Sequence, residues 1–282
     1  GGDCFAGLYW KAPSAGSQNV LARFGDAGKV AAECDVTVAV LGINKSIERE
    51  GQDRFSLELP VDQQEFIKEL YKVNPNTVVV LVAGSSMAVN WMDENVPAIL
   101  NAWYPGEQGG NAVAEVLFGD YNPGGRLPLT YYNSLDEIPA FDNYSVKGRT
   151  YQYFEGQPLY EFGYGLSYTK FRYKSKGVNV EQDTVKVSFE VSNTGKYDGD
   201  EVAQVYVKYP ETGTYMPLKQ LHGFKRVHIK KGKTSKVTIG VPKKDLRYWD
   251  EQERKFVTPK GEYTFMVGAS SEDIKFRETV GL

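Results

Sequence analysis

Three carboxylic acids and two arginines are crowded into one short stretch of this sequence, SIEREGQDR. Glu48, Glu50 and Asp53 lie close together and are interleaved with Arg49 and Arg54. In a partly desolvated cleft three neighbouring carboxylates cannot all stay ionised without cost, so the pKa of one of them should rise, while the arginines keep the others ionised. A carboxyl group with a raised pKa is suited to general acid catalysis. The alternative is a solvated charged loop in which Asp53 and Arg54 fix the start of the following helix.

Other common catalytic arrangements are missing from this sequence. The two histidines, His222 and His228, both fall in the second half of the chain, and no G-x-S-x-G turn exists, which argues against a Ser-His-Asp triad. The glycine pairs at 109–110 and 124–125 match no phosphate-binding motif, and no His or Cys cluster has the spacing of a zinc site. Carboxylate chemistry is the remaining catalytic option, and we expect neither a metal nor another cofactor.

Composition and charge are those of a globular protein with one large or two ordinary domains. Of the 282 residues, 41% are hydrophobic and 24% charged, and the formal net charge is −3 at pH 7, so we expect no nucleic-acid partner. The longest apolar run, Val78–Ala83, is much shorter than the roughly 20 residues that a membrane-spanning helix needs. Two cysteines, Cys4 and Cys34, cannot build a disulfide framework.

The first half of the chain alternates between helical and strand-like patterns. Helices are predicted around 24–31, 60–71 and 112–117, and strands at 36–42, 78–82, 96–102 and from Arg126 after the Pro123-Gly124-Gly125 turn. This alternation predicts a mostly parallel sheet covered by helices, in which ligands bind outside the carboxyl ends of the strands. Because SIEREGQDR follows the first of these strands, we expect it at that edge.

The second half has the period of half-buried strands. Val185, Val187, Phe189 and Val191 alternate with polar residues. Further short apolar runs at 202–207, 224–229, 237–241 and 263–267 predict an all-β sandwich of the immunoglobulin or fibronectin sort. The Tyr- and Gly-rich stretch between the halves is a long connection, and such connections are often functional or packed on another domain.

Long motifs in a fixed order carry a family resemblance. SIEREGQDRFSLELP, AWYPGEQGGNAVAEVLFGDYNPGGRLPLT and PLYEFGYGLSYTKF resemble glycoside hydrolase family 3. NTGKYDGDEVAQVYV, LKQLHGFKRV and GEYTFMVGASSEDI resemble the fibronectin type III-like domain of that family. The resemblance implies an α/β three-layer sandwich, incomplete at its N-terminus, over 1–145, a connecting segment over 146–175 and a β-sandwich over 176–282.

The resemblance also implies a retaining mechanism with two carboxylates. The acid/base glutamate falls best on Glu50, with Glu48 as the alternative, and Asp53 and Arg54 are expected to brace the loop by pairing. The family's nucleophilic aspartate lies on a preceding (β/α)8 barrel, and no residue of this chain matches its motif. We therefore expect the chain alone to be inactive and to need the barrel, attached covalently or as a separate chain.

Substrate and location are further implications of the resemblance. GRTYQY at 148–153 and the IERExxDR form of the loop are similar to family members that act on β-xylosides. The resemblance thus implies an exo-acting enzyme of plant-type glycan breakdown that removes terminal β-linked sugars, β-xylosides ahead of β-glucosides, and is periplasmic or secreted. For Trp91, Trp103, Tyr104, Arg149 and Tyr151, a packing role is the stronger expectation than a contact with sugar.

A second hypothesis comes from another class of protein. The sandwich and the Tyr-rich connection could form a non-catalytic module that binds carbohydrate or a partner, since the chain supplies no nucleophile. A third hypothesis, an α/β nucleotide binder, has only the sheet topology in its favour and no phosphate motif.

Overall fold

The computed structural model describes residues 7–8 and 20–282, with side chains from residue 26 onward. It divides into two compact units. The first comprises residues through 117 together with 131–137, and the second comprises 118–130 and 138–282. The domain boundaries predicted from the sequence, at 145 and 175, stay a prediction.

The first unit is a parallel sheet with helices in the connections. Its elements in chain order are β1 (Gly7–Leu8), α1 (Val20–Ala32), β2 (Thr37–Gly42), α2 (Val61–Val73), β3 (Thr77–Val82), α3 (Asn90–Asn95), β4 (Ala98–Asn101) and α4 (Gly109–Phe118). The strands lie in the order β1-β2-β3-β4, and every pair is parallel. Parallel neighbours need long crossovers, which the helices provide. The predicted α/β class is confirmed.

Buried apolar residues hold this sheet to its helices. In β3 the run TVVVLV leaves Val79, Val80 and Leu81 almost fully buried, as expected of a strand covered on both faces. Asn74 caps the C-terminal end of α2, and its side chain also contacts α1. Its Nδ2 donates to the carbonyl groups of Ala31 at 3.0 Å and Cys34 at 2.8 Å, which ties the end of α2 to the end of α1.

The second unit is an antiparallel sandwich. After the short helix α5 (Thr150–Tyr153), its strands are β5 (Phe171–Val180), β6 (Thr184–Asn193), β7 (Gly199–Lys208), β8 (Gln220–Ile229), β9 (Thr234–Pro242), β10 (Tyr248–Asp250), β11 (Lys255–Val257), β12 (Glu262–Gly268) and β13 (Ile274–Gly281). One sheet has the order β13-β12-β7-β8 and the other β5-β6-β9, while β10 and β11 pair as a hairpin. Alternate side chains of β6, including Val187 and Phe189, are buried in the core with Val205 and Phe265. The predicted sandwich is confirmed.

The strand predicted from Arg126 is wrong. Residues 122–130 form no strand, and the side chain of Arg126 pairs with Glu201 of the second unit. Instead of joining a ladder, the backbone at Leu127 makes two isolated long-range bonds: its amide donates to the Tyr164 carbonyl at 2.8 Å, and the Gly163 amide donates to its carbonyl at 2.7 Å.

Arg126 forms a buried ion pair with Glu201 of β7. Nη2 of Arg126 lies 3.0 Å from Oε2 of Glu201, and the side chains are 9% and 3% exposed. The Tyr173 hydroxyl donates to the other carboxylate oxygen at 2.7 Å. Burial raises the pKa of Glu201 above its ordinary value of 4.5, although Arg126 and Tyr173 favour the charged form. The pair fastens the 122–130 segment to the sandwich.

Within the described part of the chain, no helix has the length and apolar character needed to cross a membrane.

Candidate functional site

The candidate site begins where β2 ends. The Ile43 amide donates to the Val82 carbonyl at 3.0 Å, which continues the pairing of β2 with β3 by one residue. A Cβ on Gly42 would lie 1.8 Å from the Val82 carbonyl oxygen, so only glycine fits at this approach. The Gln63 side chain then bonds both the amide and the carbonyl of Gly42, each at 2.8 Å. The loop that follows therefore leaves the carboxyl edge of the sheet from a fixed point, as the sequence predicted.

Glu50 lies at the tip of a tight turn in this loop. Arg49 and Gln52 form a two-residue antiparallel bridge, with backbone bonds of 3.2 and 2.9 Å in the two directions. Glu50 and Gly51 are the two central residues, and Gly51 has φ of +73° whereas Glu50 is not among the residues with positive φ. This is the sign pattern of a type II turn, which calls for glycine at its third position. Glu50 is exposed at this position.

Substitution of Gly51 tests this turn. Its Cβ would meet nothing within 4 Å, so Gly51→Ala adds no clash, only the backbone strain of a positive φ. That strain costs about 1–2 kcal/mol, and we expect it to be relieved locally by a different turn. The expected result is faster amide exchange at Gln52 with little change in the thermal midpoint. Gly110→Ala is the matched control, since its Cβ also meets nothing within 4 Å but its φ is not positive. Slow exchange at Gln52 in Gly51→Ala would contradict the assigned turn.

Glu48 lies at the base of the same turn, and one of its carboxylate oxygens has two partners. Its Oε2 is 2.6 Å from Nε of Arg54 and accepts a hydrogen bond from the Ser85 hydroxyl, also at 2.6 Å. Ser85 follows the carboxyl end of β3, so the contact joins the loops after two neighbouring strands. To donate a proton Glu48 would have to lose this ion pair, which disfavours it as the general acid.

Arg54 anchors the other side of the turn. Beyond the ion pair with Glu48, its Nη2 donates to the Ser86 carbonyl at 2.8 Å and its Nη1 to the Met87 sulfur at 2.9 Å. The side chain is 9% exposed. The expectation that Arg54 braces the loop agrees with this geometry, but its ion-pair partner is Glu48; Asp53 is exposed, and among the described residues it has no ion pair.

The partly desolvated cleft expected around the three acids is not formed by the described residues alone. Glu48 is neutralised by Arg54, while Glu50 and Asp53 are both exposed. The described part of the chain thus holds Glu50 in place without enclosing it. Any desolvation of Glu50 has to come from a surface that covers the turn.

Sequence reasoning missed the 85–87 segment and the position of Tyr104. The Tyr104 hydroxyl donates to the Ile43 carbonyl at 3.2 Å, and its ring lies over Gly84, where a Cβ would be 2.5 Å from the ring. The loops after β2, β3 and β4 therefore meet at one edge. The available signal was the Gly-Ser-Ser run directly after a buried strand, because parallel strands bring their carboxyl ends together.

Two of the remaining aromatic candidates, Trp91 and Tyr151, have packing roles in the described chain. Trp91 contacts Tyr71 edge to face at 5.6 Å, with the Lys68 ammonium 5.8 Å from its ring. In the second unit Tyr151 is stacked on Phe162 at 4.3 Å and accepts a hydrogen bond from the Leu221 amide.

Arg149 closes a loop of the second unit on itself. Its Nη2 contacts the carbonyl oxygens of Pro139, Ala140 and Asn143 at 2.9–3.1 Å. His222 is half-buried there and shares a 2.8 Å hydrogen bond with the Tyr209 hydroxyl. Burial lowers the pKa of His222 below its ordinary value of 6.5. Both side chains are committed to contacts within their own unit.

Acidic, His and Cys side chains are nowhere grouped as a metal would need them in the part of the chain that the structure describes.

Comparison with known proteins identifies two domain families. Residues 8–168 match the Glycosyl hydrolase family 3 C-terminal domain, and residues 201–271 match the Fibronectin type III-like domain. The chain is 43% identical over 225 residues to a xylan 1,4-beta-xylosidase of Xylanibacter ruminicola, an alignment that covers 79% of this chain and 26% of the relative. It is 33% identical over 287 residues to a periplasmic beta-glucosidase of Salmonella typhimurium, covering 96% of this chain and 37% of that protein.

A solved structure shows the same fold. The crystal structure of a beta-glucosidase from Kluyveromyces marxianus in complex with glucose superposes with a TM-score of 0.87 and 35% identity, covering 93% of this chain and 33% of that one. The chain spans 26% to 37% of the length of these two curated relatives.

Proposed function

The chain belongs to glycosyl hydrolase family 3, and we propose that it supplies the acid/base glutamate, Glu50, of a retaining β-glycosidase. In such a reaction a carboxylate attacks the anomeric carbon while a carboxylic acid protonates the departing oxygen. The same acid group, now ionised, then removes a proton from the water that hydrolyses the glycosyl-enzyme. Glu50 performs the proton transfers in both steps.

The observation that carries this proposal is the exposure of Glu50 at the tip of a braced turn. Glu48, in contrast, is bound by Arg54 and Ser85. Glu50 instead extends from the carboxyl edge of a parallel sheet, where ligands bind in α/β folds. Its position suits a group that acts on a substrate held by a facing surface.

The nucleophile in this proposal comes from a (β/α)8 barrel domain, attached to this chain or separate from it. A retaining enzyme places its two carboxyl groups about 5–5.5 Å apart, so the barrel has to cover the turn closely. That covering surface would also supply the desolvation that raises the pKa of a general acid. We accordingly expect residues 1–282 alone to hydrolyse no glycoside.

The substrate we propose is a terminal β-linked sugar of an oligosaccharide, with β-xylosides preferred to β-glucosides. The GRTYQY segment and the IERExxDR loop support this preference, as does the 43% identity to a protein named xylan 1,4-beta-xylosidase. Periplasmic or secreted location is proposed as well, supported by the likeness to a protein named periplasmic beta-glucosidase.

Kinetics with paired aryl glycosides test the function and the preference together. The protein is produced together with the proposed (β/α)8 barrel domain, in the same chain or as a separate one, and kcat/KM is measured on 4-nitrophenyl β-xyloside and 4-nitrophenyl β-glucoside. We expect hydrolysis of both, with the larger kcat/KM on the xyloside. A larger kcat/KM on the glucoside would overturn the proposed preference for β-xylosides. No hydrolysis of either substrate would overturn the proposed glycosidase activity. Micromolar binding of xylo-oligosaccharides to residues 1–282 alone, measured by calorimetry, would favour a binding module instead.

A further inference from the structure

We propose that Glu48, Arg54 and Ser85 are positioning residues that hold the Glu50 turn in its reactive geometry. The proposal rests on the proposed function, because it assigns these residues a role in the reaction of Glu50. It makes Glu48 the charge that fixes the catalytic turn rather than a second proton donor.

The loop that carries Glu50 has no fully buried apolar residue, since Ile47 and Leu57 are only half-buried. Between Ile43 and Leu59, both buried, no residue is fully buried as a whole, and Phe55 is 98% exposed. An irregular loop without buried apolar side chains has little hydrophobic stabilisation, so its order must come from polar contacts. In this loop the side chain of Arg54 is 9% exposed and that of its partner Glu48 is 26% exposed.

The polar contacts of Glu48 and Arg54 form a ring around the base of the turn. Glu48 and Arg54 flank the Arg49–Gln52 bridge on its two sides and are joined to each other at 2.6 Å. Arg54 also grips the Ser86 carbonyl and the Met87 sulfur, and Glu48 accepts from Ser85. The base of the turn is thereby fixed to the segment that follows β3.

The rate of proton transfer depends strongly on the position of the carboxyl group that carries the proton. A misplacement of about 1 Å can cost roughly 10²-fold in rate, even when it arises away from the reacting atoms. Glu50 sits on a four-residue turn with exposed surroundings, so its position is only as well defined as the base of the turn. Loss of the Glu48 charge would free Arg54 and let the turn shift.

Two substrates with different leaving groups separate a positioning role from a purely structural one. A purely structural defect would lower the rates on both substrates equally. Phenyl β-xyloside needs protonation of its departing oxygen, whereas 2,4-dinitrophenyl β-xyloside has a leaving group stable enough to depart without it. In the enzyme assembled with the proposed barrel domain, Glu48→Gln should lower kcat/KM about 10- to 100-fold on the phenyl substrate. The dinitrophenyl substrate should lose roughly threefold or less, since its departure needs little general acid catalysis. Ser85→Ala, which removes one hydrogen bond, should show the same selectivity at smaller size.

Glu65→Gln is the matched control, because Glu65 is an exposed glutamate on α2 outside the ring. It should leave both rates unchanged. Equal losses on the two substrates in Glu48→Gln, or no loss on either, would overturn the positioning role.

Amide exchange in residues 1–282 gives a second test that needs no catalysis. The amides of Arg49 and Gln52, which make the two bonds of the turn, should exchange at least about tenfold faster in Glu48→Gln and Ser85→Ala than in Glu65→Gln. Unchanged exchange would overturn the proposal. If Glu48→Gln does not fold, Ser85→Ala and Arg54→Lys carry the test, the latter keeping the charge while losing the planar fork.

The two proposals can fail separately. Full activity in Glu50→Gln would overturn the role of Glu50 whatever the exchange rates are. Full activity in Glu48→Gln, with Glu50→Gln inactive, would overturn the positioning role alone.

Discussion

Replacement of Glu50 by glutamine is expected to lower kcat on phenyl β-xyloside about 10²- to 10⁴-fold in the enzyme assembled with the proposed barrel domain, the range that general acid–base catalysis contributes. The amide keeps the size of the side chain but cannot release or take up a proton. Because Glu50 is exposed and has no ion pair within the described residues, its loss should leave the thermal midpoint of this chain within about 1 °C. Loss of activity without loss of stability separates catalysis from folding.

Rescue by azide tests whether Glu50 is the acid/base residue. In Glu50→Gly the acid/base side chain is removed, and the glycosyl-enzyme formed from a dinitrophenyl β-xyloside waits for a nucleophile that needs no deprotonation. Azide anion attacks the anomeric carbon as the bond to the enzyme aspartate breaks, which frees the carboxylate and yields a β-xylosyl azide. We expect azide to raise the rate of Glu50→Gly and to have no effect on Glu48→Gln. Rescue of a Glu48→Gly variant instead would move the acid/base role to Glu48.

Replacement of Arg126 by alanine should have the largest effect on stability. It leaves the carboxylate of Glu201 buried with its cation gone, and breaking a buried pair in this way costs about 3–5 kcal/mol. Arg172→Ala is the matched control, because Arg172 is exposed on β5 of the same unit, and it should change stability by less than about 0.5 kcal/mol. Urea unfolding, followed by hydrogen exchange of β7 peptides, measures both. Similar losses in the two variants would contradict the buried pair.

The effect of Arg126→Ala should depend on pH with a definite sign. Burial raises the pKa of Glu201 above 4.5, so its contribution to stability is fully present below pH 4.5 and is lost as pH rises through the folded-state pKa. Arg126 is the largest of the influences that lower that pKa. Without it, the variant should lose more stability than the wild type between pH 4.5 and pH 7, and the difference between them should shrink toward pH 4.5. A difference that does not change with pH would show that Glu201 is not the affected group.

Prediction from the sequence succeeded where one local pattern decides the structure. The unbroken apolar run of β3 and the strict alternation of β6 each specify a strand and its burial. The strand wrongly predicted from Arg126 shows the limit of such patterns. Nothing near Arg126 indicates that its partner is Glu201, a residue 75 positions later on another element.

The candidate site also has parts that a local pattern predicts and parts that depend on distant residues. Strand order placed SIEREGQDR at a carboxyl edge, and this placement follows from local pattern. The sequence did not reveal that Glu48 and Arg54 pair across the turn, because five intervening residues can be folded in many ways. That pairing depends on Ser85 and Ser86, which reach the loop only once β2 and β3 lie side by side.

The chain passes from one unit to the other at 117/118, 130/131 and 137/138. These crossings determine the order in which the two units can be completed during synthesis. Tyr131 is fully buried in the first unit, so that unit is complete only when residues beyond 130 have been made. By then Arg126 has emerged, yet its partner is still 75 residues away. At roughly 5–20 residues per second the nascent guanidinium waits about 4–15 s for β7. The first unit can therefore close during synthesis while the second stays open, with Arg126 already made and Glu201 not yet synthesised.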